Sequence, residues 1–544
     1  MRTHTQQKKL FARPLISLAA LLLTSVSCLG ATVTVGNSPY AVVVNPVTNK
    51  IYVLNRGSDS VTVIDGVTNA TTTVTTGSMP FALAVNPVTN KIYVANYLSS
   101  DVTVIDGVSN ATLTVPVVST SNDAIAVNTV TNKIYVANRL LTVTVIDGNN
   151  NTTSTVAVGD GASSIAVNPV TNKVYVGDDV SDDVTVIDGS TNATTTVSVG
   201  SSPFALAINS VTNTIYVAMI DSNTVTVIDG ASNTTGTVAA GSGPVAVAVN
   251  SLTNKIYIPN TFDGTVTVID GATNTTSTVT IAFAGFDAVA VNPVTNKVYV
   301  TSITNDALIV IDGATNSTSI SSTGREPIAV AANPVTNKIY VANRASNNVT
   351  VTNGAGVATS TGLSSSLNPS VYGQAVTWTA TVASSVGFIP TGVVKFTWSG
   401  YTIGSATLNS NGVGILTKSN LNADVYPLTA VYSGDANNSG STSAVLNQVV
   451  LEATSSATLT SSPNPSTQGQ AVTFTAKITS PTAKPTGPVI FTAGKTMLGI
   501  AQLSGGKATL TISSLAVGST TVTATYFGNS NIAKSSASVT QTVR

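Results

Sequence analysis

Read from its residues alone, the chain is predicted to be all-β: an eight-bladed β-propeller, with seven blades as the alternative, followed by two β-sandwiches. Three observations lead there. A segment of about 41 residues returns eight times, and another of about 95 residues returns twice. Throughout, apolar residues recur at the two-residue period of strands and not at the 3.6 of helices.

The first element is a leader. Arg2, Lys8, Lys9 and Arg13 precede the apolar stretch from Leu15 to Leu23, and small residues follow near Ser25, Ser27 and Gly30. That order reads as a signal peptide over residues 1–30. No later run reaches the roughly 20 apolar residues of a membrane span, so no transmembrane segment is expected after cleavage. The expected location is secreted, extracellular or cell-surface, with the periplasm as the alternative. Cleavage would remove His4 and Cys28, the only His and Cys among 544 residues. Disulfides, thiol nucleophiles, imidazole metal ligands and His acid–base work are then excluded from the mature chain. Glutamate is almost as scarce, at Glu326 and Glu452.

The repeat array fills residues 31–356. Asn-Pro-Val-Thr-Asn-Lys-Ile-Tyr-Val begins at Asn45 and returns, with small changes, at Asn86, Asn128, Asn168, Asn209, Asn250, Asn292 and Asn333. Val-Ile-Asp-Gly keeps the same register through Asp65, Asp106, Asp147, Asp188, Asp229, Asp270 and Asp312, and degenerates at Asn353-Gly354. In the second unit, residues 81–85, 91–96, 101–105 and 111–115 read as four strands separated by Asn-Pro, loop and Asp-Gly turns. Four strands per 41 residues is the size of a propeller blade. The segment 32–35 looks like a spare fourth strand, and the last unit lacks a good one. Pairing the two would close the ring and hide its free edges.

The motifs Ile-Tyr-Val-Ala-Asn (92–96, 134–138, 339–343), Asn-Pro-Val-Thr-Asn-Lys and Val-Thr-Val-Ile-Asp-Gly resemble the YVTN family of β-propeller repeats, known from surface-layer and other exported microbial proteins. The resemblance covers about 31–355. It implies a fold, and no shared reaction.

Beyond Gly356 the period changes. Asn368-Pro369-Ser370 with Gly373–Ala380 recurs as Asn464-Pro465-Ser466 with Gly469–Ala476, and Tyr432-Ser433-Gly434-Asp435 returns as Tyr526-Phe527-Gly528-Asn529. Val376, Trp378 and Ala380 alternate with Thr377, Thr379 and Thr381, the pattern of a half-buried strand in a two-sheet sandwich. Trp378 and Phe474 are expected as core anchors. Residues 357–451 and 452–544 thus read as two sandwiches, and they resemble a tandem of bacterial Ig-like repeats ending in Tyr-x-Gly-Asp. The second copy departs from that ending at Asn529, so the Asp is not shared by the two copies.

Charge is unevenly spread. Residues 31–356 hold 11 basic and 20 acidic side chains, a net −9, and residues 357–544 hold 8 and 3, a net +5. The tail's basic residues are dispersed and lack interleaved aromatics, so no nucleic-acid partner is expected.

Repeated residues are read as structural. The eight mid-strand tyrosines, Tyr52 to Tyr340, are expected to pack between blades, and the Asp of Asp-Gly to bond its own turn. The loops from second to third strands, and those entering the first strands, vary from unit to unit and should share one face. They carry Tyr40, Arg56, Phe81, Tyr97, Arg139, Asp160, Phe204, Phe262, Phe286, Asp287, Arg325, Glu326 and Arg344, the candidate binding rim. Asp178, Asp179, Asp182 and Asp183 form the one dense acidic patch, with Ca²⁺ as the single candidate ion. The function expected is therefore non-catalytic: an exported surface or structural protein whose rim meets an envelope or extracellular polysaccharide or protein, with the sandwiches as spacer or attachment. No cofactor is required. The alternative, implied by resemblance to propeller lactonases and quinone-cofactor dehydrogenases, is chemistry at the central channel, for which only Asp160, Asp178, Asp287, Glu326 and Arg325 are on offer.

Overall fold

A computed structural model describes residues 30–118, 121–384 and 389–544. Residues 1–29 of the expected leader, with His4 and Cys28, lie outside the described residues. Within them the regular elements are all β-strands, and no helix is long and apolar enough to cross a membrane.

Residues 31–353 make eight four-stranded antiparallel sheets, a propeller-like arrangement. Seven take their strands in sequence order, over residues 39–75, 80–116, 122–157, 162–198, 203–239, 248–280 and 286–322. The eighth, 327–353, is completed from the other end of the array. Ala31–Thr34 pairs antiparallel with Asn348–Asn353, Ala31 opposite Val351 and Thr34 opposite Asn348. The first strand of each sheet lies against the first strand of the next, and Pro327–Asn333 returns to Pro39–Asn45. Neither end of the array is left as an open edge.

The repeated motif explains the closure. Asn45 donates from Nδ2 to Oδ1 of Asn90 in the following sheet at 2.9 Å, and the same bond recurs around the cycle until Asn333 reaches Asn49 at 2.8 Å. The acceptor asparagines sit in left-handed conformation, Asn49 at φ 52° and Asn90 at φ 53°, a region Asn tolerates better than other side-chain-bearing residues. The lysine of the motif adds a second tie: Lys50 Nζ donates to the Gly107 carbonyl at 2.6 Å and Lys338 to that of Gly66 at 2.5 Å. The turn Asp does what its place before Gly suggests. Oδ1 of Asp65 accepts from the Val67 and Thr68 amides and from the Thr68 hydroxyl at 2.8–3.0 Å. Hydrogen bonds from Thr68, backbone and hydroxyl, hold that carboxyl below its ordinary range.

Packing lies between sheets. The eight tyrosines are fully buried, each against the next sheet; Tyr52 meets Ile92, Val94 and Ile105. Burial pushes the hydroxyls of Tyr52, Tyr93 and Tyr135 up to about 12.

The C-terminal part is two sandwiches. In the first, Thr359–Ser365, Val376–Ser384 and Val413–Lys418 form one sheet, facing a sheet built on Asp424–Gly434 and Val393–Trp398. In the second, Ser456–Ser462, Val472–Thr479 and Lys507–Ile512 face a four-stranded sheet. Trp378 and Phe474 are fully buried anchors, and Trp378 Nε1 donates to Oε1 of Gln448 at 3.3 Å. Asp435 ties a loop: Oδ2 accepts from the Thr391 amide and hydroxyl at 2.8 Å, and Oδ1 from the Asn437 and Asn438 amides. Burial opposes its ionisation, yet these bonds outweigh it and hold the carboxyl at about 2. Asn529 accepts only from the local amides of Asn531 and Ile532, so this second copy forgoes the cross-loop tie.

Candidate functional site

The variable loops do meet on one face. In every unit the loop after the second strand donates backbone hydrogen bonds to the loop before the first strand, as in Arg56 to Ser38 at 3.0 Å, Tyr97 to Met79 at 2.9 Å and Arg344 to Glu326 at 2.8 Å. Loops of adjacent units are tied as well, Thr76 to Asp59 at 3.0 Å and Val117 to Ser100 at 3.0 Å. The rim is a continuous hydrogen-bonded belt and not a set of free loops.

A β-bulge sets its inner edge. In seven of the eight first strands the pairing register slips at or just after the second residue, at Tyr40, Phe81, Asp123, Ser163, Phe204, Asp287 and Ile328. A bulge releases one residue from the ladder and re-aims its side chain. Bulged residues of neighbouring units therefore meet. The rings of Tyr40 and Phe81 lie 5.0 Å apart, and Phe81 and Tyr97 5.7 Å apart. The Arg56 guanidinium sits over both Tyr40 and Phe81, at 5.1 and 4.9 Å from their centroids.

The other rim arginines are held by carboxylates. Arg139 Nη1 reaches Oδ2 of Asp123 at 2.9 Å, and Nη2 reaches Oδ2 of Asp179 at 3.5 Å. Burial pushes the Asp123 carboxyl up by more than Arg139 pulls it down. Arg344 Nε meets Oε2 of Glu326 at 2.9 Å. Glu326 itself is in left-handed conformation at φ 55°, its amide donating to Oδ1 of Asp306. Asp287 is half-buried, and burial pushes its carboxyl up to about 6 against the pull of Arg344.

Other rim positions stand apart. Asp160 is exposed, and its carbonyl accepts the Val180 and Ser181 amides at 3.2 Å. Arg325 is exposed and bonds through its backbone, the amide to the Ser346 hydroxyl and the carbonyl to the Ala345 amide. Phe204 and Phe262 are 48% and 70% exposed, Phe262 packing over Gly243, where a Cβ would come within 2.4 Å of the ring. Phe286 is a correction: it is not on the rim but buried beside Val298 and Val300. It fills the first position of its strand, which Pro39, Pro80, Pro203 and Pro327 fill elsewhere, and that position is buried in every unit.

The acidic patch is also reorganised. Asp178 ends the strand Lys173–Asp178 and is fully buried, where the acidic patch was expected to offer it to an ion. Its register mates Asn55, Asn96, Asn138, Asn260 and Asn343 are buried amides, and Asn96 donates to Oδ1 of Asp101 at 2.5 Å. In this unit Asp178 faces Asp183 across the strand pair, so a proton must replace the missing amide donor. Burial, the largest effect, and Asp183 push Asp178 up to about 7, against the hydrogen bond from Thr185 Oγ1 at 2.7 Å. Asp179 turns to Arg139, and Asp182 accepts the Ser202 amide of the next unit at 2.8 Å. Only Asp178 and Asp183 stay together, and among the described residues no group of three or more His, Cys, Asp or Glu is placed to hold a metal ion.

With that geometry in place, comparison with known proteins adds one firm result. The family model of the bacterial Ig-like domain (group 3) matches residues 363–451 and again 459–544. The C-terminal part is two bacterial Ig-like domains. None of the curated proteins matches the chain. Among solved structures, the hydrazine synthase of Kuenenia stuttgartiensis aligns with 59% of this chain and 97% of that one, at 19% identity and a TM-score of 0.44. That likeness is too slight to bear on function. The Ig-like pair suggests a surface or structural role, with which a propeller-like array is consistent.

Proposed function

We propose that residues 31–356 are an eight-bladed propeller of the YVTN type, one blade per four-stranded sheet, in an exported protein that binds without catalysis. The rim is the recognition surface, residues 357–451 and 452–544 are spacers that carry it away from an attachment point, and the partner is an envelope or extracellular polymer. One observation carries this reading. Seven or eight units repeat their buried tyrosine, their Asn–Asn tie and their Asp-Gly turn, while the bulged position runs Tyr40, Phe81, Asp123, Ser163, Phe204, Asp287 and Ile328, with Val245 at the equivalent place in the sixth unit, where no bulge forms. Closure of the ring leaves that position free, and five of the eight residues placed there are aromatic or acidic. The bulged residues are rigidly presented by the belt, which is the condition for binding a repeating polymer at several points with little ordering cost.

The test is a panel of polysaccharides and envelope proteins offered to the full chain, to a Phe81→Ala, Asp287→Asn double variant on the rim, and to a Val88→Ser variant on the opposite face. The reading expects binding that falls on the rim changes and survives Val88→Ser. Binding that falls only with Val88→Ser would overturn it.

A further inference from the structure

The three arginines placed on the inner rim are chemically unequal. Arg139 is neutralised by Asp123 and Asp179, and Arg344 by Glu326. Among the described residues Arg56 has no carboxylate within ion-pair reach, and its Nε is buried with no hydrogen-bond partner. Its contacts are two aromatic rings, Tyr40 of its own unit and Phe81 of the next. The two rings, 5.0 Å from one another, flank the guanidinium from one side without accepting its hydrogen bonds, and its terminal Nη donors can receive a carboxylate through paired hydrogen bonds. Beside it the aromatic row continues from Phe81 to Tyr97.

We propose that Arg56, Tyr40, Phe81 and Tyr97 form the subsite for one uronate residue of an acidic polysaccharide, the sugar carboxylate on the Arg56 guanidinium and the C–H face of a pyranose ring on the neighbouring aromatics. This rests on the reading of the rim as a recognition surface and names its ligand class. A saccharide is favoured over an acidic peptide because the row is a set of flat rings crossing from one unit to the next, matching a polymer that alternates apolar ring faces with single carboxylates. A dense polyanion is disfavoured by the surroundings: the array carries a net −9, and Arg56 is one isolated cation. One carboxylate per subsite also fixes the salt response, a weak one of about a single charge.

The experiment is calorimetric titration of the full chain with polygalacturonate, with its fully methyl-esterified form, with a neutral glucan and with polyglutamate. Expected are binding of polygalacturonate, at least a tenfold loss on methyl esterification, and a similar loss for Arg56→Lys, which keeps the charge but not the planar fork. Phe81→Ala should weaken binding as well, while the melting temperature of Arg56→Lys stays that of the parent. Equal binding of the acid and ester polymers overturns the carboxylate contact while leaving the rim reading standing. Polyglutamate binding as tightly as polygalacturonate, unaffected by Phe81→Ala, overturns the saccharide assignment in favour of an acidic peptide. Binding of the glucan alone, lost on Phe81→Ala, overturns the acidic ligand but supports the rim. Absence of binding to all four polymers overturns the proposal, and the wider panel then decides the fate of the rim.

Discussion

The two faces of the repeat array are built from the same strands and obey opposite rules. On one, the Asn-Pro-Val-Thr-Asn-Lys turns recur with small changes, and each binds the next sheet through an Asn–Asn bond or a lysine on a carbonyl. On the other, equivalent positions carry tyrosine, phenylalanine, aspartate or serine, while the backbone bonds beneath them stay constant. Where a residue's partner lies in the neighbouring unit at a fixed register, repetition is a requirement of closure. Where only the backbone is shared, the side chain is free to differ.

That contrast breaks first at the interior. Tyr93→Ala would empty a fully buried site between sheets and should cost about 3–5 kcal/mol in urea unfolding. An unchanged midpoint would mean that the sheets do not depend on one another. The next largest effect is expected at Asp178, where one unit departs from the buried-amide rule. Its carboxyl binds a proton more tightly folded, at about 7, than unfolded, near 3.8. The folded state therefore holds more protons between those values, and stability should fall as pH rises from about 4 to 7 and level off above. Asp287, at about 6, adds a fall of the same sign. Asp178→Asn restores the amide of the other units, and should gain about 1–3 kcal/mol at pH 8 and flatten the profile. A steeper profile in the variant would contradict the shared proton. On the repeated face, Asn90→Ala removes both a left-handed residue and the acceptor of Asn45, for a loss of about 1–2 kcal/mol in the same assay. Smallest is Arg325→Ala on the variable face, expected to stay within about 0.5 kcal/mol because the side chain is exposed and the residue bonds through its backbone.

Much of the fold was legible because the period was. Strand positions, the turn role of Asp65, the packing of the tyrosines and the N-terminal strand that completes the last sheet all follow from aligning the units with one another. The same alignment held information that composition obscured. Phe286 looked like an exposed aromatic in a variable loop, but its register mates are buried prolines. Asp178 looked like one of four carboxylates in an acidic patch, but its mates are the buried Asn55, Asn96 and Asn138. Asp123 and Arg139 were visible as residues and invisible as a pair, since they lie on separate loops that only the tertiary turn register brings to 2.9 Å. The bulges left no mark in composition, because a residue re-aimed by backbone geometry can be of any type.

The central claim is that one face holds the ring and the other meets the ligand. It is tested most directly by taking two full-length variants, Arg56→Gln and Asn90→Ala, through thermal melts and through titration with polygalacturonate, side by side. The account expects Arg56→Gln to lose binding at the parent's melting temperature, and Asn90→Ala to bind like the parent while melting earlier. Binding lost from Asn90→Ala and kept by Arg56→Gln, with both still folded, would contradict it.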